Sequence, residues 1–422
     1  MKILVTVILL LGGICSIAAQ KVKASVYGYN PQDATAAFQQ AVQSEADTII
    51  IDKQFSDWHI RPTVFRNLSN KTILFEKGVT LRAKKGAFTN ESDRLLEFIN
   101  AENVKIIGNG ALFIMDKDEY ITGEWRHSIS LRKCRNIYIE KLTIANSGGD
   151  GIYIAGLEKG SYSENITINA VTAMNNKRQG ISIISGKNIY ISQSVFKNTK
   201  GTLPGAGVDI EPNHNQDKII NIRFENCSFI DNDHAGILLA LNKMDHTSEP
   251  VSVYFSNCYL KNNHNPENRY AASEIIVGAS PLNPVKGEVI FNNCLIDGSK
   301  WGMLYSRKTR DAYHVTFKDC AAINISQDNT WPPIYLEVPD YNKETGALGG
   351  FTFQNVMLAY KTALPFFQVR GSKKETLKEV AGIYGDITVI NPWQGGIKYL
   401  NYNPENNRQV RITYTIITDK DY

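Results

Sequence analysis

Two acidic residues lie one residue apart in the stretch GAGVDIEPNHNQ. Val208 and Ile210 alternate with Asp209 and Glu211, and this period of two predicts a β-strand. Because successive side chains of a strand point to opposite faces, the apolar residues predict a core side and the two acids share the outer face. Neighbouring carboxyls raise each other's pKa. One of them can then hold a proton while the other is ionised, which is what general acid–base catalysis requires.

Further residues suited to acid–base chemistry or sugar binding fall into register with this pair. We align neighbouring strands on glycines that recur every 27 to 29 residues, namely Gly151, Gly180, Gly207 and Gly236. The outer positions then carry Arg126, His127, Asp150, Tyr153, Arg178, Gln179, Asp209, Glu211 and His234. Trp125 is a candidate for stacking on a sugar ring. Purely structural alternatives stay open: Asp150 as a turn cap, Arg178 as a counter-ion, His234 as the partner of a turn carbonyl, Trp125 as plain packing, and the Asp209–Glu211 pair as a solvated part of the strand.

The spacing of the acid pair favours one geometry of glycoside hydrolysis. Cα atoms at positions i and i+2 of a strand lie about 6.6–6.8 Å apart. Inverting glycosidases hold their two carboxyls roughly 6.5–9.5 Å apart, whereas retaining enzymes hold them about 5–5.5 Å apart. We therefore predict inversion by Asp209 and Glu211, with Asp150 as a third acid ~10 Å away. Arg126 and Arg178 would suit a carboxylate or sulfate group on the sugar.

A repeat runs through most of the chain and predicts the architecture. Segments such as RNIYIEKLTIANS, KNIYISQSVFKNT and INIRFENCSFIDN each contain a short alternating strand, a polar turn and a second apolar run. A period of roughly 20–30 residues with several strands per repeat predicts a solenoid. Cys227, Cys258, Cys294 and Cys320 occupy equivalent places in successive repeats and lack the CxxC spacing of a zinc site. We therefore predict that they stack inside the solenoid.

Further along the outer face, the outward positions are predicted to be held by Trp301 and Leu304, so we expect an apolar surface there.

These repeats resemble the pectin-lyase-like superfamily of right-handed parallel β-helices, which implies an all-β solenoid with three short strands per coil. NPQDATAAFQQAVQS resembles the helix that caps the first coil in this superfamily. SGGDGIYI and HAGILL resemble two rungs of its polygalacturonases, which use clustered acids and invert. The adjacent Asp-Asp pair of that family is replaced here by Asp-Ile-Glu, its Arg-Ile-Lys string is missing, and Lys243 is only a loose substitute. We therefore expect a polysaccharide or oligosaccharide other than polygalacturonate.

The two ends of the chain predict a signal peptide and the boundaries of the domain. Residues 1–19 combine Lys2, an apolar run and small residues before Gln20, the pattern of a signal peptide. Ile14 precedes Cys15 where a lipidation signal has a small residue, so a secreted or periplasmic protein is expected. One β-helix domain is predicted over 20–422, with an N-terminal cap at 20–70, coils at about 71–395 and closing strands at 396–422. No later apolar run approaches the ~18 residues of a spanning helix.

The composition of the chain limits the classes of binding partner that we expect. The net charge of +4 with scattered basic residues gives no reason to expect nucleic acid, and no membrane insertion is expected. A homotrimer is an open alternative to a monomer, since trimers are common among β-helix proteins. No metal site and no cofactor are expected for a hydrolase.

Two other functions remain open. A polysaccharide lyase or uronate C5-epimerase would use His127, Tyr153 or an arginine as base, with Arg178 or a calcium ion neutralising the uronate. A non-catalytic glycan-binding β-helix would need the aromatic residues but not the acid pair.

Overall fold

The computed structural model describes residues 20–265, 273–340 and 346–418. The predicted signal peptide and Cys15 lie outside these ranges. Among the helices within them, none has the length and apolar character needed to cross a bilayer.

Parallel strands wind into a solenoid, which confirms the predicted all-β, right-handed β-helix. One ladder of twelve strands carries the candidate site and is called the site sheet. Its strands are Thr63–Arg66, Leu96–Ile99, Ile129–Arg132, Ile152–Ala155, Ile181–Ile183, Val208–Ile210, Ile237–Leu241, Ser273–Ala279, Gly302–Ser306, Ile334–Glu337, Phe367–Arg370 and Ile397–Leu400.

The other described strands form the remaining faces of the coils and join into one hydrogen-bonded set, because several long strands bend from one face to the next. They are Lys21–Lys23, Thr48–Ile51, Trp58–Ile60, Ser69–Phe75, Thr80–Ala83, Glu102–Ile114, Arg135–Ala145, Ser163–Asn169, Thr172–Met174, Gly186–Ser192, Val195–Lys197, Ile219–Glu225, Ser228–Ile230, Val251–Ser256, Tyr259–Lys261, Gly287–Asn292, Leu295–Asp297, His314–Lys318, Ala321–Ile323, Ala347–Ala359, Glu379–Ile390 and Asn407–Ile417.

The N-terminal helix spans Thr35–Gln43, inside the segment predicted to cap the first coil. Its buried face includes Phe38, whose ring centroid lies 6.0 Å from that of Phe65 in the first site-sheet strand. Short 3-10 helices occur at Ala24–Tyr27, Lys117–Glu119 and Pro404–Asn406.

Parallel pairing extends beyond the coils predicted for residues 71–395. Lys21–Lys23 pairs with Thr48–Ile51, so regular strand pairing already occurs in the stretch predicted as a cap. At the other end, Asn407–Ile417 pairs in parallel with Glu379–Ile390, so the closing strands continue the ladder. The assignment of 20–422 to one domain stays a prediction.

The interior is built from stacked identical or similar side chains. Phe224, Phe255, Phe291 and Phe317 form one such stack, with consecutive ring centroids 4.7 to 5.0 Å apart. The five described cysteines are all free and buried, as the predicted internal stack requires. Stacking of this kind buries apolar surface continuously along the solenoid axis, which is the main stabilising contribution to a repeat fold.

The Asn-rich turns have a specific structural role at one corner of the coil. Six asparagines there adopt left-handed backbone angles with φ between 53° and 55°, a conformation that Asn tolerates better than most residues. In each of the last five, the side-chain Nδ2 donates to the Oδ1 of the asparagine one coil earlier, at 2.8 to 3.0 Å. The ladder consists of Asn70, Asn103, Asn136, Asn165, Asn188 and Asn221.

The glycines used for the alignment mark close contacts between coils. A Cβ atom on Gly180 would lie 2.4 Å from the carbonyl oxygen of Gly207, and one on Gly151 would lie 2.6 Å from that of Gly180. The strand pairings confirm the predicted register, which places Tyr153, Ser182, Asp209 and Leu238 side by side.

The prediction for Leu304 is wrong. Leu304 pairs with Ile275 and Ile334 and packs in the interior, whereas Tyr305 takes the outer position. A slip of one residue in a strand exchanges its two faces, and the predicted register of the Gly302–Ser306 strand is one residue out.

Candidate functional site

Asp209 lies on the outer face of the site sheet, between two residues of the interior. Its side chain is 0% exposed. Gln179, one coil earlier, donates a hydrogen bond from Nε2 to Asp209 Oδ2 at 2.9 Å. The amide of Gln179 is itself oriented, because its Oε1 accepts a hydrogen bond from the backbone N–H of Ala206 at 2.7 Å. Asp209 is therefore held in one orientation by its neighbours.

The environment of Asp209 favours its protonated form. Burial raises the pKa of the Asp209 carboxyl well above its ordinary value, repulsion from Glu211 raises it further, and Arg178 opposes the shift. Glu211 follows the same strand and has a side chain that is 42% exposed. The two acids therefore differ in environment: one is buried and the other is open to solvent.

Arg178 connects the acids. Its guanidinium nitrogens lie 3.5 Å from Asp150 Oδ1, 3.4 Å from Glu211 Oε2 and 3.3 Å from Glu124 Oε2. Burial alone would lower the pKa of Arg178, but the negative charges of Asp150, Asp209 and Glu211 outweigh it and raise the pKa. Arg178 is thus a permanent cation at the centre of four carboxyls, and the fourth of them, Glu124, is absent from the residues predicted for the site.

Asp150 and His127 form a buried layer beneath the acid pair. Burial raises the pKa of Asp150 to about 6, against the opposing effect of Arg178. The backbone N–H of Asp150 donates to His127 Nδ1 at 3.0 Å, so that nitrogen is an acceptor and the imidazole proton sits on Nε2. Burial and the charges of Arg94 and Arg178 lower the pKa of His127 well below its usual value. The neutral ring stacks on Tyr153, with centroids 4.5 Å apart.

Hydrogen-bonding capacity is left over around these residues. Within the described ranges, buried polar atoms that make no hydrogen bond include Asp209 Oδ1, His127 Nε2, Ser130 Oγ and His234 Nδ1. Buried polar atoms in proteins normally have partners, and their concentration in one place indicates a site for a polar ligand.

Arg126, a predicted sugar-binding residue, points away from the acids. Its guanidinium is buried, donates to the carbonyl oxygens of Phe88 and Thr122, and lies 5.1 Å from the ring centroid of Tyr120. The guanidinium of Arg126 therefore binds backbone carbonyl oxygens of its own and a neighbouring segment, and it does not contact the acid cluster. The adjacent Trp125 is 48% exposed, and its role in stacking on a sugar stays a prediction.

His234 and Lys243 lie further along the site sheet. The backbone N–H of His234 donates to the carbonyl oxygen of Gly205, and burial lowers the pKa of the imidazole to about 4. Lys243 is exposed in the turn after Ile237–Leu241, and it makes no ion pair with the acid cluster among the described residues. The sugar-binding roles given to both stay predictions.

A small cavity adjoins the site beside Tyr153. Its volume is about 160 Å³, and Arg132, Lys159, His214 and Leu157 contribute to its lining. Arg132 and Lys159 are basic, Glu158 and Asp217 in the same lining are acidic, and none of these residues belongs to the residues predicted for the site. In the part of the chain that the structure describes, no group of three or more His, Cys, Asp or Glu side chains is arranged to hold a metal ion.

Comparison with known proteins supports the fold at the level of a family and of individual structures. A family model described as a right-handed β-helix region matches residues 49–221 and 121–330. The uncharacterized protein YclG of Bacillus subtilis strain 168 is 27% identical over 234 residues, which cover 48% of this chain and 39% of YclG. The match therefore spans less than half of that relative's length.

Two solved structures share the fold over most of the chain. The catalytic unit of a GH87 α-1,3-glucanase from Streptomyces thermodiastaticus strain HF3-3 aligns with a TM-score of 0.61 and 12% identity, covering 95% of this chain and 70% of that one. The A-module of the mannuronan C-5 epimerase AlgE6 from Azotobacter vinelandii gives a TM-score of 0.52 and 12% identity, covering 93% and 99%. At these identities the likeness is one of fold alone.

Proposed function

Because the chain belongs to the right-handed β-helix family, we propose that it is a carbohydrate-active enzyme, and specifically an exported glycoside hydrolase. The observation that carries this proposal is the pairing of buried Asp209 with solvent-open Glu211 on one outer face. A glucanase with the same fold adds support, although the fold alone does not assign an activity.

In this proposal Asp209 is the general acid. Gln179 occupies Oδ2, so the proton sits on Oδ1, which makes no hydrogen bond within the described part of the chain. That proton would pass to the oxygen of the glycosidic bond as the bond breaks. Because burial raises the pKa of Asp209, its carboxyl would stay protonated until the proton is transferred to the leaving group.

Glu211 is the proposed general base. Its exposed side chain can reach a water molecule, and Arg178 at 3.4 Å stabilises its negative charge. Water activated on the opposite face of the sugar from the acid would give inversion of the anomeric centre. Asp150 would support both acids by balancing the charge of Arg178, from which it is 3.5 Å away.

We propose that the substrate is an acidic sugar, but that its acidic group is bound by residues other than the predicted Arg126 and Arg178. Arg126 is occupied by backbone carbonyls and Arg178 by carboxyls, so neither is available to a substrate carboxylate. Lys159 in the adjoining cavity makes no ion pair among the described residues and is better placed to meet an anionic group, whereas Arg132 in the same cavity already lies 3.5 Å from Glu97.

A lyase or C5-epimerase is the second candidate, favoured by the shared fold of the mannuronan C-5 epimerase. It would need a base beside the acids. His127 Nδ1 already accepts a hydrogen bond and its Nε2 carries the proton, whereas burial raises the pKa of Tyr153, so neither residue is well prepared to abstract a proton. A binding protein without activity would not need a buried protonated acid.

The test is incubation of the purified protein with a panel of acidic and neutral glycans, followed by product analysis. The hydrolase predicts new reducing ends without unsaturation, and NMR should show the inverted anomer first. Unsaturated uronate ends would establish a lyase, an exchanged C5 configuration without cleavage would establish an epimerase, and binding without any product would establish a binding protein.

A further inference from the structure

We infer that this site takes a glycan by its chain end, because a packed aromatic wall closes the outer face of the site sheet beyond Asp209. The inference rests on the proposed function and deepens it, since it distinguishes action at chain ends from cleavage in the middle of a polymer.

The wall begins in the coil after the acid pair. Strand pairing places Leu238 directly beside Asp209, followed by Ile276, Tyr305 and Tyr335 in consecutive coils. Large side chains on the outer face of an open sheet are normally wet, yet Tyr305 is 4% exposed and Tyr335 is 3% exposed. The outer face is therefore covered at these coils.

The cover comes from the segments that lead into the strands. Trp331 packs on Tyr335 with ring centroids 5.5 Å apart and on Tyr305 at 6.3 Å. Together these side chains form an apolar cluster outside the solenoid interior, which we call the aromatic wall. Its members are Ala235, Leu238, Ile276, Trp301, Tyr305, Trp331 and Tyr335.

Polar contacts hold the wall in place. The hydroxyl of Tyr335 donates to Glu337 at 2.8 Å, and that of Tyr305 donates to the other oxygen of the same carboxylate. Arg307 and Arg370 lie 3.2 and 3.7 Å from Glu337. A buried carboxylate bound by two hydroxyls and two guanidinium groups resists displacement, so a sugar chain would not open the wall easily.

The opposite direction along the sheet leads to a cavity. The coil before Asp209 presents the small, buried Ser182, and the coil before that presents the partly exposed Tyr153, which lines the 160 Å³ cavity with Arg132 and Lys159. Adjacent coils are about 4.8 Å apart, so the partly exposed Leu238 leaves space for little more than one sugar ring on the wall side of the acids. The chain would therefore end against Leu238 and extend towards Arg132.

A product-length experiment tests this inference. The exported chain, residues 20–422, is incubated with oligogalacturonates, oligomannuronates and α-1,3-gluco-oligosaccharides from dimer to octamer, and products are followed by mass spectrometry. We expect the same shortest product from every chain length of the glycan that is cleaved. With the corresponding polymer, viscosity should fall slowly relative to the release of reducing ends. Early products of mixed intermediate length with a rapid loss of viscosity would overturn the inference while leaving the hydrolase in place.

A wall variant sharpens the test. Leu238→Ala shortens the side chain against which the glycan is proposed to end, without touching the acids, and it should lengthen and broaden the products. Leu282→Ala, at an exposed leucine outside the site sheet, should leave them unchanged. Unchanged products from Leu238→Ala would count against the wall.

A binding measurement covers the case in which no glycan is cleaved. We expect the affinity of Asp209→Asn protein for the same oligosaccharides, measured by calorimetry, to reach a plateau at short length. An affinity that rises through the octamer would overturn the inference. Absence of both cleavage and binding across the three series would refute the proposed function and the chain-end inference with it.

Discussion

The Nε2 atom of Gln179 lies 2.9 Å from the Oδ2 atom of Asp209, and the other end of the same amide is fixed by the backbone of Ala206. This pair of hydrogen bonds determines which oxygen of Asp209 can carry a proton. In the proposed mechanism, Gln179 would in this way control the proton of the general acid.

Replacing Gln179 with Leu should reduce kcat and shift its pH dependence. A donor to a carboxylate stabilises the ionised form, so its loss should raise the pKa of Asp209 further. The basic limb of the kcat profile should then move to higher pH, because that limb reports ionisation of the general acid. A variant with lower kcat but an unshifted basic limb would mean that Gln179 only supports the fold.

The glycine alignment predicts a stability difference between two Gly→Ala variants. In Gly180→Ala the new Cβ would lie 2.4 Å from the Gly207 carbonyl oxygen, so we expect a loss of about 1–3 kcal/mol in the free energy of unfolding. Gly396→Ala is the control, since no atom lies within 4 Å of the position that its methyl group would take. Urea unfolding measures both. Equal stability of the two variants would show that the coils are not packed as closely as described.

His234 should make the protein sensitive to acid. Burial lowers its pKa to about 4 in the folded chain from about 6.5, so its contribution is fully present above pH 6.5 and is lost as the pH falls through 4. The loss should be on the order of 3 kcal/mol. His234→Gln should therefore flatten the fall in stability between pH 6.5 and 4, whereas exposed His246→Gln should not. Parallel curves for wild type and His234→Gln would contradict the assigned burial.

Arg178 and Asp150 should be energetically coupled. Arg178→Met leaves neighbouring carboxyls without their cation, and breaking a buried ion pair in this way costs roughly 3–5 kcal/mol. Adding Asp150→Asn removes one of the stranded charges, so the double variant should lose less than the sum of the two single losses. A double-mutant cycle by chemical denaturation gives the coupling. Additive losses would show that the two side chains do not interact.

Much of this arrangement could be predicted because a solenoid turns a sequence period into physical contact. With Gly151, Gly180 and Gly207 aligned, Asp150, Gln179 and Asp209 must lie on or beside neighbouring strands, and the strand pairings agree. The internal cysteine stack follows from the same periodicity. Backbone register, however, says where a residue sits and not where a long side chain goes.

Apart from the one-residue register error at Leu304, the features that escaped prediction belong to the connecting segments, whose lengths vary and which carry no period. Arg126 has the expected backbone position but sends its guanidinium to the carbonyls of Phe88 and Thr122, which lie outside the strands of the site sheet. Glu124 reaches Arg178 from the segment that contains Arg126. The wall residue Trp331 also lies between strands, and its contact with Tyr305 cannot be derived from spacing.

The most direct test of the central claim is the turnover of Asp209→Asn and Glu211→Gln on the glycan that the wild-type protein cleaves. Each should lose a factor of roughly 10²–10⁴ in kcat, because each removes one partner of the acid–base pair. Glu225→Gln, on a different face of the solenoid, should keep wild-type turnover, and circular dichroism should show all three folded. Wild-type turnover in both Asp209→Asn and Glu211→Gln would contradict the assignment of these two carboxyls as acid and base.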